Sequence, residues 1–153
     1  MAGALHLRAE DAEDLAVLSS CLQDALVPLA DMTFERAARR FVLAVNRFRW
    51  EGCAPPLSGP GVADGVFERV ACGITFEGVE SVGLQGIDQG KREKVLELLA
   101  VMTDAAAAGR VAIHLLFAGG ATIRLDADAI RVRLEDFGEA WPTKWRPQHQ
   151  LES

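Results

Sequence analysis

Apolar and polar residues alternate along most of this 153-residue chain. A period of two predicts β-strands with one buried face, because successive side chains of a strand point to opposite sides of the sheet. The alternating segments also contain many β-branched and aromatic residues, which are typical of strands. These segments are 4–9, 27–35, 41–50, 67–78, 79–87, 110–118 and 121–137.

One segment near the N-terminus follows the helical period instead. Leu15, Leu18 and Leu22 are spaced by three and four residues, which places them on one face of a helix. Asp11 has the position of an N-cap residue, and the acidic residues that follow it are favourable at the positive end of a helix. Pro28 limits how far the helix can extend. The pattern therefore predicts one N-terminal helix.

Residues 94–103 fit two structures. Their apolar positions match one face of a helix, and they match a buried strand equally well. Because alternating segments flank them on both sides, we predict a strand.

The stretch FAGGATIRL, residues 117–125, raises the question of a phosphate-binding loop. Such a loop needs a helix after its glycines, because the N-terminal amides of that helix bind the anion. Here the residues after Gly120 alternate with a period of two, so no helix is expected. Two glycines between alternating runs predict a tight hairpin turn.

These elements predict an α+β fold that is mainly antiparallel β. We expect seven to nine strands in a curled sheet or a partly open barrel, with the N-terminal helix packed on it. A roll like that of pleckstrin-homology domains is one such arrangement. The length is that of one domain, so residues 1–153 are expected to form a single domain with a loosely ordered tail from about residue 146. Residues 51–65 are rich in Gly and Pro and predict a long loop.

Composition and charge narrow the class of protein. The net charge is -6, which argues against a general nucleic-acid-binding protein. No apolar run has the length of roughly 20 residues that a membrane-spanning helix needs. The acidic N-terminal segment lacks the pattern of a signal peptide, and Cys21, Cys53 and Cys72 have no CxxC spacing. We therefore expect a cytoplasmic protein.

Four arginines form the most informative feature for binding. Arg47 and Arg49 share one face of their strand, and Arg131 and Arg133 share one face of theirs. If the two strands are neighbours, the guanidinium groups gather in a patch that can bind phosphate, a carboxylate or an acidic partner segment. The alternative interpretation is two solvated faces whose arginines pair with Glu and Asp.

Two tryptophans in the C-terminal region also have two interpretations. Trp141 and Trp145 flank a proline. They can anchor the C-terminus to the body of the protein, or they can form an exposed binding surface, since Trp is common at binding hot spots.

Candidates for catalysis and metal binding are weaker. Asp126 and Asp128 lie two residues apart, yet a Mg²⁺ or Ca²⁺ site normally needs more oxygen ligands, so a solvated bend is the simpler interpretation. His114 has no partner motif for a general base. Cys72 lies among apolar residues and is expected to be buried and unreactive. No metal and no cofactor is predicted.

The chain also resembles a known family. The stretches DLAVLSSCLQDAL, RRFVLAVNRFRWE, FAGGATIRLDADAIRVRLEDFGEAW and RPQH are similar to those of small alphaproteobacterial proteins grouped as domain-of-unknown-function family 2948. The resemblance extends from about Leu7 to His149. It implies a bacterial cytosolic protein. Because the family has no assigned activity, it supplies no functional residues.

Three functions stay open at this point. The lack of a catalytic triad, metal cluster or nucleotide loop in the sequence favours a non-catalytic binding or adaptor module with a protein partner. The first alternative is a protein that binds a small molecule or small anion on an arginine-lined face. The second is an enzyme with a site built from Asp31, Asp126, Asp128 and His114.

Overall fold

A computed structural model describes residues 6–48, 67–105 and 109–143, with the backbone alone described at 67–68 and 138–143. It contains one α-helix, α1 (Ala12–Cys21), and ten strands in the described ranges. The strands are β1 (His6–Ala9), β2 (Ala25–Pro28), β3 (Met32–Glu35), β4 (Arg40–Phe48), β5 (Phe67–Glu77), β6 (Val79–Gln85), β7 (Val95–Ala105), β8 (Val111–Phe117), β9 (Thr122–Ala127) and β10 (Val132–Thr143).

All ten strands belong to one antiparallel sheet that is curled but not closed. Its order is β1-β10-β5-β4-β2-β7-β8-β9-β6, and β3 pairs with β4. The α+β class, the curled antiparallel sheet and the N-terminal helix are thus confirmed. The strand count exceeds the predicted range partly because the segment 27–35 is divided by a 3-10 turn at Leu29–Asp31.

The sheet bends sharply where two strand connections pass side by side. β5 runs into β6 through Gly78, and β9 runs into β10 through residues 128–131. β5 pairs with β10 on one side of this point, and β6 pairs with β9 on the other. Such bends let one sheet wrap around its own core. We call residues 77–79 and 127–132 the corner.

The helix covers the inner, apolar face of the sheet. Leu15 and Leu18 are buried on the side of α1 that packs against β7 and β1. The predicted N-cap is confirmed, since the Asp11 side chain accepts a hydrogen bond from Asp14 N at 2.8 Å. Ser19 of the same helix accepts a hydrogen bond from Val101 N at 2.9 Å, which joins α1 to β7.

The strand predicted for 94–103 is confirmed as β7. Its pairing with β8 is irregular between Leu98 and Ala100, as in a β-bulge. This irregularity explains the ambiguous pattern. Leu98 and Val101 are both buried although they lie three residues apart. A spacing of three is typical of a helix, and in this strand it results from the irregular pairing.

The hairpin predicted at the two glycines is also confirmed. β8 and β9 pair in an antiparallel manner, and Phe117 N donates to Ala121 O at 2.9 Å. Gly119 and Gly120 have φ of 86° and 91°, a region that glycine adopts without a steric penalty.

The two described cysteines differ in their covalent state. Cys72 is free and buried, as expected. Cys21 is disulfide-bonded, so the cysteine spacing no longer supports a reducing compartment.

Within the described residues no helix combines the length and the apolar character needed to cross a bilayer. The predictions for Arg49, Cys53, Trp145, the loop 51–65 and the tail from 146 lie outside the described residues.

Candidate functional site

Two adjoining surface cavities lie at the corner. The first has a volume of about 280 Å³, and its polar lining comes from Arg8, Glu10, Glu77, Arg131 and Arg133. The second has a volume of about 340 Å³ and adds Ala38, Arg39, Gly78 and Asp128. The two cavities share Glu77 and Arg131. We call their joint surface the corner groove.

Backbone hydrogen bonds fix the shape of the corner groove. Glu77 N donates to Arg131 O at 2.9 Å, and Asp128 N donates to Gly78 O at 3.2 Å. Val79 N donates to Arg39 O at 2.9 Å. Arg39 has φ of 57°, which is uncommon for a residue with a Cβ. The backbone between the two cavities is therefore held from three different segments.

Gly78 is required at the bend by both conformation and space. Its φ is 71°, in the left-handed region. A Cβ at this position would lie 2.6 Å from Nη2 of Arg131 and would also overlap the Asp128 carboxylate. The close approach of the Asp128–Arg131 pair to the backbone thus depends on a residue without a side chain.

Most arginines of the corner groove form exposed ion pairs. Arg131 Nη2 lies 3.0 Å from Asp128 Oδ1, and Arg133 Nη2 lies 3.0 Å from Glu77 Oε2. Arg39 Nη2 lies 2.9 Å from Glu80 Oε2. Ion pairs in contact with solvent contribute little to stability, typically about 0–1 kcal/mol. These guanidinium groups can therefore exchange partners at small energetic cost.

Arg8 differs from these arginines because it has no acidic partner among the described residues. It is exposed, and the register of β1 on β10 places it directly opposite Arg133. Like charges in directly opposed positions destabilise a strand pair. The first cavity carries three arginines against two glutamates, so its lining has a net charge of 3 − 2 = +1.

The predicted four-arginine patch is divided by the topology. β4 and β10 are not neighbours, because β5 lies between them. Arg131 and Arg133 share the first cavity of the corner groove. Arg47 lies elsewhere, with only 2% of its surface exposed.

Arg47 is held by a buried ion pair on the inner face of the sheet. Its Nε and Nη2 donate to the two oxygens of Asp136 at 2.9 and 2.6 Å. Its Nη1 donates to the carbonyl oxygen of Phe48 at 3.0 Å. The Asp136 side chain is 6% exposed. A bidentate pair with this geometry leaves Arg47 with its hydrogen bonds made inside the protein.

Cys72 lies close to this ion pair and is the free thiol of the described region. Burial raises the pKa of the thiol to about 12, and the nearby positive charge of Arg47 opposes this shift without cancelling it. A thiol in this state is a poor nucleophile at neutral pH.

We expect Cys72 to resist thiol reagents in the native state. Native wild type and native Cys72→Ser should show equal numbers of reactive thiols at pH 8. After denaturation, wild type should show one reactive thiol more than Cys72→Ser.

The same thiol makes stability depend on pH. The pKa of Cys72 rises on folding from 9.0 to about 12, so the contribution of the protonated thiol to stability is full below pH 9 and is lost as the pH rises towards 12. The free energy of unfolding of wild type and of Cys72→Ser, compared at alkaline pH, measures this contribution. A reactive Cys72 in the native protein would contradict this assignment.

The residues considered for catalysis lie in separate interactions. His114 Nε2 is 3.1 Å from Asp104 Oδ2. Asp126 accepts hydrogen bonds from Arg124 Nε and Ser81 Oγ, both at 3.0 Å. Partial burial acts to raise the pKa of Asp126. These hydrogen bonds, together with the positive charges of Arg124 and Arg110, outweigh it and place the pKa below its ordinary value.

Asp31 and Asp128 do not complete such a site. Asp31 ends the 3-10 turn before β3, and Asp128 pairs with Arg131 at the corner. In the parts of the chain described here, no three His, Cys, Asp or Glu side chains are grouped so that they could hold a metal ion.

Trp141 has a defined position in the sheet. The register of β10 on β5 pairs it with Arg69, just after an irregularity between Phe137 and Trp141. This pairing places the backbone of Trp141 in the sheet.

Sequence patterns missed several residues of the corner groove. Arg8 lies in a short segment with weak alternation, and Arg39 lies in a turn. Gly78 was the available signal, because a glycine between two alternating segments marks a sharp bend. The residues that lie next to Gly78 in space are about 40 and 50 positions away from it in the sequence, so a local pattern does not reveal them.

Neither a curated protein nor a solved structure matches this chain. A family model described as protein of unknown function (DUF2948) matches residues 5–149, nearly the full length. The chain therefore belongs to the DUF2948 family.

Proposed function

We propose that the protein is a non-catalytic binding module whose corner groove receives an acidic segment of a partner protein. The observation that carries the proposal is the pairing of Arg8 with Arg133 in directly opposed positions, with no acidic partner for Arg8 among the described residues. Glu77 already pairs with Arg133 at 3.0 Å, so Arg8 is the member of this pair whose charge has no counter-ion among the described residues. An anion that binds beside Arg8 would relieve the repulsion between the two arginines.

The shape of the groove favours an extended segment over a single small anion. Its two cavities adjoin along the corner, from Arg8 on β1 to Arg39 in the turn before β4. Carboxylates on successive residues can meet arginines spaced in this way, and each arginine can exchange its exposed partner for a new one.

The sheet edge beside the groove offers backbone contacts to the same segment. β1 is at one end of the strand order. An extended peptide can bind such an edge by adding a strand, with side-chain contacts that supply specificity. Arg8 lies on β1 itself, so edge pairing and charge recognition can involve one peptide.

The charge of the whole chain makes the groove selective. The protein carries a net charge of -6, which repels an acidic partner as a whole, whereas the lining of the first cavity carries a net positive charge that can attract it locally. The resulting complex should weaken as the ionic strength rises.

The test compares two double variants that lose the same charge. Arg8→Ala/Arg133→Ala removes the opposed pair. Lys91→Ala/Arg92→Ala removes two exposed cations from the turn after β6, which lies at the other end of that strand from the corner. Tagged wild type and both variants are used to isolate partners from the native cells, and the acidic segment of any stoichiometric partner is then measured by calorimetry.

We expect the groove variant to bind that segment at least about tenfold more weakly, which corresponds to about 1.4 kcal/mol, and the control variant to bind like wild type. Arg8→Ala alone should keep or slightly raise the melting temperature, because it removes a like-charge contact. Equal binding by the groove variant would exclude this surface. The lack of any partner, with a response to small anions instead, would favour the anion-binding alternative.

A further inference from the structure

A second arginine, at the opposite end of β5, has no hydrogen-bond partner among the described residues. Arg69 is 1% exposed, and its Nε, Nη1 and Nη2 atoms are all buried without a hydrogen bond. A buried guanidinium normally has several hydrogen bonds, because leaving a charged donor unsatisfied is costly. Burial lowers the pKa of Arg69, which has the same physical cause.

The contact of Arg69 with Phe48 compensates only part of this cost. The guanidinium carbon lies 4.7 Å from the centre of the Phe48 ring, which is a cation–π distance. Such a contact stabilises the cation through the face of the guanidinium plane. The five N–H donors around the edge of that plane still have no acceptor among the described residues.

Arg47 provides a comparison at the same end of the sheet. It is also buried, and it also contacts Phe48, through the carbonyl oxygen of that residue. Arg47 has the bidentate carboxylate of Asp136, whereas Arg69 has no corresponding acceptor among the described residues. Within the described part of the chain, one buried arginine therefore has a carboxylate partner and its neighbour has none.

The strand pairing around Arg69 is irregular in a way that suits a binding site. Arg69 lies opposite Phe48 on β4 and opposite Trp141 on β10. Between Phe137 and Trp141 the register shifts, so four residues of β10 cover the span of two on β5. Bulges of this kind are frequent next to functional sites, where they interrupt regular pairing.

We propose that Arg69 is the receptor of a second site, which takes the carboxylate or phosphate group of a small anionic ligand. The fork of the guanidinium binds either group through two parallel hydrogen bonds. The site is independent of the corner groove, because Arg69 and Gly78 are nine positions apart along β5 and its end, roughly 30 Å in an extended strand.

The test uses inorganic phosphate and acetate as probes, with chloride at equal ionic strength as the reference. Melting temperatures are measured for wild type, Arg69→Met and Arg8→Ala/Arg133→Ala. Methionine retains the length and apolar body of the side chain and removes the charge. Comparison of phosphate with acetate distinguishes the two groups, and the corner-groove variant distinguishes the two sites.

We expect the better probe to raise the melting temperature of wild type and of the corner-groove variant by roughly 3–6 °C at ten times its Kd. The melting temperature of Arg69→Met should not respond. Without added anions, Arg69→Met should be at least as stable as wild type, because it removes an unsatisfied buried charge. A wild type that does not respond, or an Arg69→Met variant that responds equally, would overturn the proposal.

A measurement on the unchanged protein covers the case in which Arg69→Met fails to fold. The Nε–Hε signal of Arg69 is followed by NMR during the phosphate and acetate titrations, with the signal of Arg47 as the internal reference. The proposal requires a saturable shift of the Arg69 signal and little change at Arg47. A stationary Arg69 signal in both titrations would contradict it.

Discussion

Asp136→Ala is expected to lower the free energy of unfolding by about 3–5 kcal/mol, since it leaves the buried Arg47 guanidinium without its carboxylate. For a protein of this size the corresponding fall in melting temperature is roughly 6–20 °C. The loss exceeds that of an ordinary hydrogen bond because Arg47 is 2% exposed and water cannot replace the missing partner. Chemical denaturation of wild type and variant measures the difference.

Two further variants test the cause of this loss. Arg47→Met/Asp136→Leu removes both charges and should recover much of the stability, because a buried ion pair is often replaced by apolar residues at little cost. Glu135→Ala removes the neighbouring exposed carboxylate and should change stability by less than about 0.5 kcal/mol. A double variant as unstable as Asp136→Ala would show that lost packing, and not the unpaired charge, dominates.

Gly78→Ala is expected to destabilise the protein by roughly 2–4 kcal/mol and to weaken binding at the corner groove. Part of the cost comes from a φ of 71°, and part from overlap of the new Cβ with Arg131 and Asp128. To relieve that overlap, the Asp128–Arg131 pair must move, and this displaces one wall of the groove. Denaturation and calorimetry on the same sample measure both effects.

Gly83→Ala is the matched control for this substitution. Gly83 lies in the adjoining strand β6, and a Cβ there would meet no atom within 4 Å. Its effect on stability and binding should be small, and alanine is compatible with a strand position. Equal effects at Gly78 and Gly83 would mean that the corner does not depend on the close approach at Gly78.

Local patterns were sufficient for most elements of the fold. The N-cap at Asp11 and the hairpin at Gly119 and Gly120 are consequences of neighbouring residues along the chain. Each can be predicted because the relevant interactions span only a few positions.

The candidate site could be predicted only in part, because it depends on strand order. Arg131 and Arg133 were identified from alternation, and both line the corner groove. The position of β5 between β4 and β10 separates Arg47 from them, and no local pattern contains this information. Arg8 lines the groove because β1 pairs with β10, which lies far from it in the sequence.

Arg69 shows a second limit of sequence patterns. In the alternating segment FERVACGITFE it occupies the face opposite Val70 and Cys72, which are buried in the core. Alternation therefore predicts a solvated arginine. The structure instead buries it beside Phe48, and burial of the second face of a strand depends on tertiary contacts.

The most direct test of the corner groove is an NMR titration of the full-length protein with a short peptide of consecutive glutamates, repeated at low and high ionic strength. We expect saturable shifts of the Nε–Hε signals of Arg8, Arg131 and Arg133 and of the β1 amides, with weaker binding at high salt. Binding with shifts confined to other surfaces, or no shift at these arginines at low salt, would contradict this expectation.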